Sequence, residues 1–168
     1  FEIPVTNTND WNDREGIAYL YAENRPDVPG YGEAVANKNF LALLAQDPND
    51  VRADVFLAAS NDSKNVFHGA KVYLNKMPAY NGDPRYASVP ILRLSEVYLI
   101  ASEAAFKDGN TAKAVQYLND LLKNRTSDAS RLVTASTITA ARISLERRKE
   151  LVGEIGRASC RERVLRLV

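Results

Sequence analysis

Cysteine, histidine, methionine and tryptophan each occur only once among the 168 residues of this chain. A single cysteine, Cys160, excludes an intramolecular disulfide framework and a thiolate metal site. A single histidine, His68, leaves a histidine-based zinc site without further ligands. No apolar run approaches the roughly 20 residues that a membrane span needs. The remaining composition is ordinary for a globular chain with one hydrophobic core.

The last residues of the chain have an unusual composition. Residues 155–164 read IGRASCRERV, a string that resembles one translated frame of a sequencing adapter. We therefore expect residues 155–168 to be a non-native tail, with a natural basic tail as the alternative. The tail has four arginines and one glutamate, so residues 1–154 carry a net charge of −2 where the whole chain carries +1. Neither charge indicates nucleic-acid binding.

The N-terminal third is predicted to be largely non-helical. Phe1–Val5 alternates apolar and polar residues like a short strand, and Pro4 confines that strand to a sheet edge. Ile17–Tyr21 is predicted to be a second short strand. Turn-forming residues, including Gly30 and Gly32, fill much of the remainder. After them, Asn37 or Asn39 is predicted to cap a first helix.

Three longer helices are predicted in the C-terminal half. The first follows Pro90 and ends at Asp108–Gly109, where glycine adopts the left-handed conformation. Thr111 is predicted to cap the second helix and Thr139 the third. The predicted core stripes are Leu94, Tyr98, Ala101 and Ala105 on the first helix, and Ala114, Leu118, Leu121 and Leu122 on the second. Small residues opposite large ones favour a closely packed antiparallel pair.

The charged run ERRKE at residues 146–150 has two interpretations. On a helix, Glu146 can pair with Lys149 and Arg147 with Glu150, because each pair is three residues apart. The run can also reach a buried carboxylate on the first helix, Glu96 or Glu103. Because a buried carboxylate is costly unless it is paired, we predict a structural ion-pair network rather than a catalytic site. Its predicted members are Glu103, Glu146, Arg147 and Glu150, and the candidate partners of Glu103 are Arg93, Arg125 and Arg147.

Aromatic residues outside the predicted helices suggest a ligand site. Trp11 lies among amide and carboxylate side chains, and several tyrosines occur nearby in the sequence. The C–H face of a sugar stacks on an indole or phenol ring, while Asn and Asp side chains bind its hydroxyls. The predicted ligand-binding residues are Asn9, Asp10, Trp11, Asp13 and Tyr31. The alternative is that these rings pack inward, as aromatic side chains commonly do.

Other chemistry has weaker support in the sequence. Asp10, Asp13, Glu15 and Glu23 offer carboxylate pairs of the kind that glycosidases use, but nothing indicates that any of them is buried. The side chains that offer oxygen ligands for calcium are Asn7, Asn9, Asp10 and Asp13, but their spacing is not that of a recognised calcium loop. We predict no catalytic residue, no metal site and no cofactor.

Two long stretches of the chain have the form of family signatures. Val89–Ala104 reads VPILRLSEVYLIASEA, and Leu145–Glu154 reads LERRKELVGE. The first resembles the pattern PxLRLSEVYLIxAEA and the second the pattern ERRKEL-x-GE, both of the RagB/SusD family, the nutrient-binding lipoproteins on the outer surface of Bacteroidetes-type bacteria. Asp47–Arg52 resembles a third family element, whereas the residues after Glu154 depart from the family pattern. The resemblance implies that residues 1–154 are an incomplete C-terminal region of a family member.

The resemblance also implies a fold and a function. The fold is mainly α: a SusD-like scaffold of tetratricopeptide-like helix pairs, with short strands and long loops in the N-terminal third. The function is non-catalytic binding of a nutrient at the cell outer membrane, for hand-over to a SusC-like TonB-dependent transporter; an oligosaccharide is the favoured ligand, and other nutrients such as peptides are the alternative. Membrane contact is then made only through a lipid anchor outside this chain. The alternatives are a helical protein-interaction module, in which Trp11 and Tyr31 are buried, and a glycosidase.

Overall fold

The computed structural model describes residues 1–5, 16–24, 26, 30–32, 34–58, 72–77, 79–80, 82–154 and 165–167. The chain divides into two compact units. The described residues of the first unit fall within 1–41, 54–91 and 165–167, and those of the second unit are 42–53 and 92–154. Residues 155–164 of the predicted tail lie outside the described residues, so its non-native origin stays a prediction.

The first unit is built from short antiparallel strand pairs. Its strands are β1 (Glu2–Ile3), β2 (Ala34–Ala36), β3 (Phe56–Ala58), β4 (Val72–Leu74), β5 (Ala79–Tyr80), β6 (Asp83–Ala87), β7 (Val89–Pro90) and β8 (Leu165–Leu167). The pairs are β1–β7, β2–β8, β3–β4 and β5–β6. A two-stranded ribbon is marginal by itself, so these pairs depend on packing. Phe40 and Phe56 provide part of that packing, with ring centroids 5.7 Å apart.

Residues Ile17–Tyr21 form a short helix, α1, and the prediction of a strand there was wrong. Strand preference depends on the neighbours that a pleated surface provides, and α1 packs against β6 instead. Ala18 lies in a small apolar cluster with Met77 and Ala87. This packing positions the aromatic residues of α1, which are important for the candidate site.

Helices dominate the second unit. They are α3 (Leu94–Lys107), α4 (Thr111–Leu122) and α5 (Ala140–Glu150), with short 3-10 segments at Val51–Val55 and Ala129–Arg131. Helix α2 (Lys38–Leu44) has its first four residues in the first unit and its last three in the second. The predicted stripe of α4 is confirmed, because Ala114, Leu118, Leu121 and Leu122 are all buried. Leu99 of α3 lies in the same core cluster as these α4 residues, and α5 contributes Ile143 to that cluster.

The buried face of α3 differs from the predicted one. Tyr98 and Ala105 do pack against the core, but Leu94 is 70% exposed. The most deeply buried residues of α3 are Ser95, Leu99 and Ser102. The Ser102 hydroxyl donates a hydrogen bond of 2.8 Å to the Ala114 carbonyl oxygen of α4. Because its hydroxyl is hydrogen-bonded, Ser102 can be buried in the core. A prediction that places only apolar residues in the core misses this position.

The helix ends follow the predicted chemistry with one shift. Gly109 has φ 78° and ends α3, and the Thr139 side chain accepts a hydrogen bond from the Arg142 amide, as an N-cap residue does. The N-cap of α4 is Asn110, whose side-chain oxygen accepts from the Lys113 amide at 3.2 Å. Thr111 is therefore the first residue of α4 and not its cap.

The fold class is confirmed as helix-rich with short strands. The strands reach further along the sequence than the predicted N-terminal third: β1 to β7 are spread over the first half of the chain, to Pro90, and β8 follows at Leu165–Leu167. Within the described residues the longest helix has 14 residues, and none combines the length and the hydrophobicity of a membrane span.

Candidate functional site

Tyr31 is the one predicted ligand-binding residue that the structure describes. Asn9, Asp10, Trp11 and Asp13 lie outside the described residues, so their contribution stays a prediction. The Tyr31 side chain is 39% exposed. This exposure contradicts the buried Tyr31 that the protein-interaction alternative requires.

Tyr31 is held against α1 by its backbone and by its ring. The Tyr31 amide donates a hydrogen bond of 2.9 Å to the Tyr19 carbonyl oxygen. The two rings meet edge to face, with centroids 4.9 Å apart and planes at 90°. Tyr19 is only 6% exposed, so a buried ring fixes the orientation of an exposed one.

The residues on either side of Tyr31 are glycines for local steric reasons. A Cβ atom on Gly30 would lie 2.4 Å from the Ala22 carbonyl oxygen, which no side chain allows. Gly32 has φ 59°, in the left-handed region that glycine adopts without strain. These two positions let the chain approach the end of α1 closely and place the Tyr31 ring beside Tyr19.

Strand β6, on which α1 packs, carries a charged pair that the sequence analysis missed. The Arg85 guanidinium donates to the Asp83 carboxylate at 2.6 and 3.0 Å, and it lies 5.5 Å from the Tyr86 ring centroid. The hydrogen bond from Arg85 holds the pKa of Asp83 below its ordinary value. Burial alone raises the pKa of Tyr21 on the adjoining helix. The i, i+2 spacing of Asp83 and Arg85 on a strand was the signal in the sequence.

A buried ion-pair network holds α5 in the second unit. The Arg52 guanidinium lies 2.7 Å from the Asp50 carboxylate and 2.8 Å from that of Glu146. The Lys149 ammonium lies 3.5 Å from Asp50. Burial raises the pKa of Asp50, but the hydrogen bonds and positive charge of Arg52, with Lys149, outweigh burial and leave it below its ordinary value. These pairs connect α5 to residues almost a hundred positions earlier.

Glu150 links the same helix to α3 and α4. Its carboxylate accepts hydrogen bonds of 2.8 and 2.9 Å from Arg125, which follows α4, and of 3.3 Å from Arg93, which precedes α3. The Glu150 side chain is 2% exposed. Burial raises its pKa, but the hydrogen bonds and charge of Arg125 outweigh burial, so the net pKa is lowered. A carboxylate held ionised in this way is poorly suited to general acid catalysis.

The ion pairs of Glu146 and Glu150 are made with other partners than those predicted along α5. Besides Arg52, Glu146 contacts Arg142 at 3.0 Å, one turn earlier on α5. Arg147 contacts Glu103 of α3 at 2.8 Å, which is one of the three partners predicted for Glu103. Glu103 is not buried, because its side chain is 39% exposed.

Glu103 also lines a pocket of about 540 Å³ between α3 and α5. The apolar residues that line this pocket include Phe106 and Ile143, and its charged residues are Glu103, Lys107 and Arg147. Lys107 and Arg147 both contact the Glu103 carboxylate, at 2.6 and 2.8 Å. The hydrogen bond from Lys107 is the largest effect that lowers the Glu103 pKa. These charges are thus already paired with one another.

The described residues contain no group of three or more histidine, cysteine, aspartate or glutamate side chains that could hold a metal ion. Of the four acidic residues considered for a glycosidase, only Glu23 lies within the described residues. What the described site offers a ligand is an exposed tyrosine ring whose orientation is fixed by Tyr19.

Comparison with known proteins identifies the family. A family model for the SusD family matches residues 30–159. A SusD superfamily protein from Bacteroides thetaiotaomicron, solved by crystallography, is 38% identical to this chain with a TM-score of 0.79; the match covers 92% of this chain and 35% of the Bacteroides thetaiotaomicron chain. A putative sugar binding protein from Bacteroides vulgatus is 37% identical with a TM-score of 0.74; the match covers 92% of this chain and 31% of the Bacteroides vulgatus chain.

A second Bacteroides vulgatus protein, of the SusD superfamily, is 30% identical with a TM-score of 0.73; the match covers 92% of this chain and 33% of that protein's chain. The chain therefore spans about a third of the length of these solved structures. No curated protein sequence matches it. Since the family match extends over well more than half of its residues, the chain belongs to the SusD family.

Proposed function

We propose that this chain is part of a non-catalytic protein that binds an oligosaccharide at the bacterial cell surface. Its membership of the SusD family supports this function, as does the 37% identity to a structure described as a putative sugar binding protein. Because the chain spans about a third of these relatives, the proposal concerns the part of the binding site that this third contributes.

The observation that carries the proposed site is the ring of Tyr31. Stacking against a sugar requires a ring that is accessible and already oriented, because ordering a free side chain would reduce the affinity. Tyr31 is 39% exposed, and its edge-to-face contact with buried Tyr19 restricts its orientation. We propose that Trp11, with Asn9, Asp10 and Asp13, completes the stacking surface and supplies hydrogen bonds to the hydroxyls.

We also propose a partner and a location for the whole protein. The bound oligosaccharide passes to a SusC-like TonB-dependent transporter in the outer membrane. Contact with the membrane is made through a lipid anchor outside this chain. Stacking and a few hydrogen bonds are sufficient for this function, so it needs no cofactor and no catalytic residue.

The test is retention of the chain on polysaccharides in affinity electrophoresis, followed by titration calorimetry with the oligosaccharide of the retained glycan. We expect Tyr31→Ala to weaken binding about tenfold or more, which is a usual loss when a stacking aromatic is truncated. Tyr31→Phe is the matched control, because it keeps the ring and removes only the hydroxyl. Trp11→Ala is expected to weaken binding similarly.

Three results would contradict the proposal. Unchanged binding in both Tyr31→Ala and Trp11→Ala would show that the site lies elsewhere. Release of reducing ends during incubation would identify a glycosidase, and the loss of that activity on substitution of Asp10 or Asp13 would locate its carboxylates. Failure of every glycan to bind, with circular dichroism showing a folded chain, would remove carbohydrate binding from this third of the protein.

A further inference from the structure

The pocket between α3 and α5 lies in the second unit, and Tyr31 is not among its lining residues. The residues that line it include Glu103, Phe106 and Lys107 of α3, and Ile143, Ser144 and Arg147 of α5. In each set the first and last positions are four residues apart, so the set lies on one side of its helix. The volume of about 540 Å³ falls within the range of about 300–1,000 Å³ that is typical of small-ligand sites. The pocket is therefore large enough for a small molecule.

The charges that line the pocket do not balance. Two cations, Lys107 and Arg147, share one carboxylate, that of Glu103. The hydrogen bond from Lys107 lowers the pKa of Glu103, so this carboxylate is ionised near neutral pH. The three side chains together then carry one positive charge in excess. A positive charge beside an apolar lining favours an anionic ligand.

Arg147 is the main anion-binding group of the pocket. Its guanidinium contacts Glu103 through Nη2, which lies 2.8 Å from Oε2 of the carboxylate. A guanidinium has five N–H donors in a planar fork, so this bond leaves donors for a second acceptor. The Arg147 side chain is 18% exposed and that of Lys107 is 72% exposed. Solvent therefore screens an ion pair of Arg147 less than one of Lys107.

The apolar lining determines what accompanies the anionic group. Ile143 is 2% exposed and Phe106 packs against the core, so both side chains are held in place. Apart from the three charged side chains, the described lining offers one hydroxyl, that of Ser144. A ligand with many hydroxyls would leave those that face this lining without hydrogen-bond partners, which lowers the affinity. We propose that the pocket binds a small carboxylate with an apolar body, whose carboxylate contacts Arg147 and whose body lies against Phe106 and Ile143.

The test uses phenylbutyrate as the probe, titrated into the full chain by calorimetry and followed by heteronuclear NMR. We expect a dissociation constant of about 1 mM or lower, which is usual for a ligand of this size. The amide signals of Phe106 and Ser144 are expected to shift during the titration. Phenylbutanol is the matched ligand, because it keeps the apolar body and lacks the charge. We expect it to bind about tenfold more weakly.

Two substitutions are expected to change the affinity for phenylbutyrate in opposite directions. Arg147→Gln removes the main cation and should weaken binding about tenfold. Glu103→Gln removes the carboxylate that competes for both cations, so it should tighten binding about threefold or more. Lys113→Gln is the control, because it removes a lysine charge at an exposed position of α4, and it should leave the affinity unchanged. Circular dichroism during thermal unfolding shows whether each variant is folded.

The pocket and the sugar site are tested independently, because Tyr31 does not line the pocket. Equal affinity for phenylbutyrate and phenylbutanol overturns the inference, because the cations then contribute nothing to binding. A folded chain that binds neither compound overturns it as well. Tighter binding of glucuronate than of phenylbutyrate overturns the ligand class, because the pocket then takes an acidic sugar.

Discussion

Glu150 and Glu103 are glutamates of two packed helices, with the same formal charge and opposite surroundings. Glu150 is 2% exposed and accepts hydrogen bonds from Arg125 and Arg93, whereas Glu103 is 39% exposed and pairs with Lys107 and Arg147 at the surface. Removing the charge of a buried partner leaves its cations uncompensated, while solvent already screens an exposed pair. Burial therefore determines how much each residue contributes to stability.

We expect Glu150→Gln to reduce the free energy of unfolding of the chain by about 3–5 kcal/mol. Glu103→Gln makes the same chemical change on α3 and is expected to cost only about 0–1 kcal/mol. Urea denaturation followed by circular dichroism measures both values. Equal losses in the two variants would mean that the pairs of Glu150 are no stronger than surface pairs.

At the scale of the helices, the cap of α4 is the clearest departure from the sequence prediction. Asn110 provides the capping oxygen, and Thr111 is the first helical residue. We expect Asn110→Ala to cost about 0.5–2 kcal/mol, because it removes that acceptor. Thr111→Ala is expected to be neutral or slightly stabilising, because alanine has the higher helix propensity. Thermal unfolding distinguishes them, and a larger loss for Thr111→Ala would restore threonine as the cap.

Helix periodicity and end signals made the C-terminal half predictable. Helices α3, α4 and α5 each extend over at least 11 residues, and Gly109 and Thr139 mark two of their ends. The five residues of α1 are too few for a period to be recognised. The buried face of α3 was misplaced because the core accepts Ser95 and Ser102, which a search for apolar residues passes over.

The candidate site was predictable only in part. The sequence indicated that Tyr31 is an aromatic residue of a turn-rich segment, but not that Tyr19 holds its ring. The predicted pairs along α5 depended on local spacing, whereas Lys149 contacts Asp50, 99 residues earlier in the chain. Side-chain partners so distant in sequence follow from the tertiary fold and leave no periodic signal.

At the scale of the whole molecule, ionised carboxylates recur in both units. The pKa lies below its ordinary value at Asp50, Asp83, Glu103, Asp128 and Glu150. Each of these side chains contacts at least one arginine or lysine. In the unfolded chain the same groups bind protons at higher pH than in the folded chain, so acid favours unfolding.

The free energy of unfolding should therefore depend on pH in one direction. A carboxyl group with a lowered folded pKa contributes its full stabilisation above the ordinary value, which is 3.8 for Asp50 and 4.5 for Glu150, and loses it as the pH falls through the folded value. We expect urea denaturation to give a constant free energy between about pH 7 and pH 5.5, and a steady fall from about pH 4.5 to pH 3. Glu103→Gln should make that fall slightly shallower, because it removes one of the titrating groups. Stability that is unchanged or higher at about pH 3 would mean that these ion pairs do not stabilise the fold.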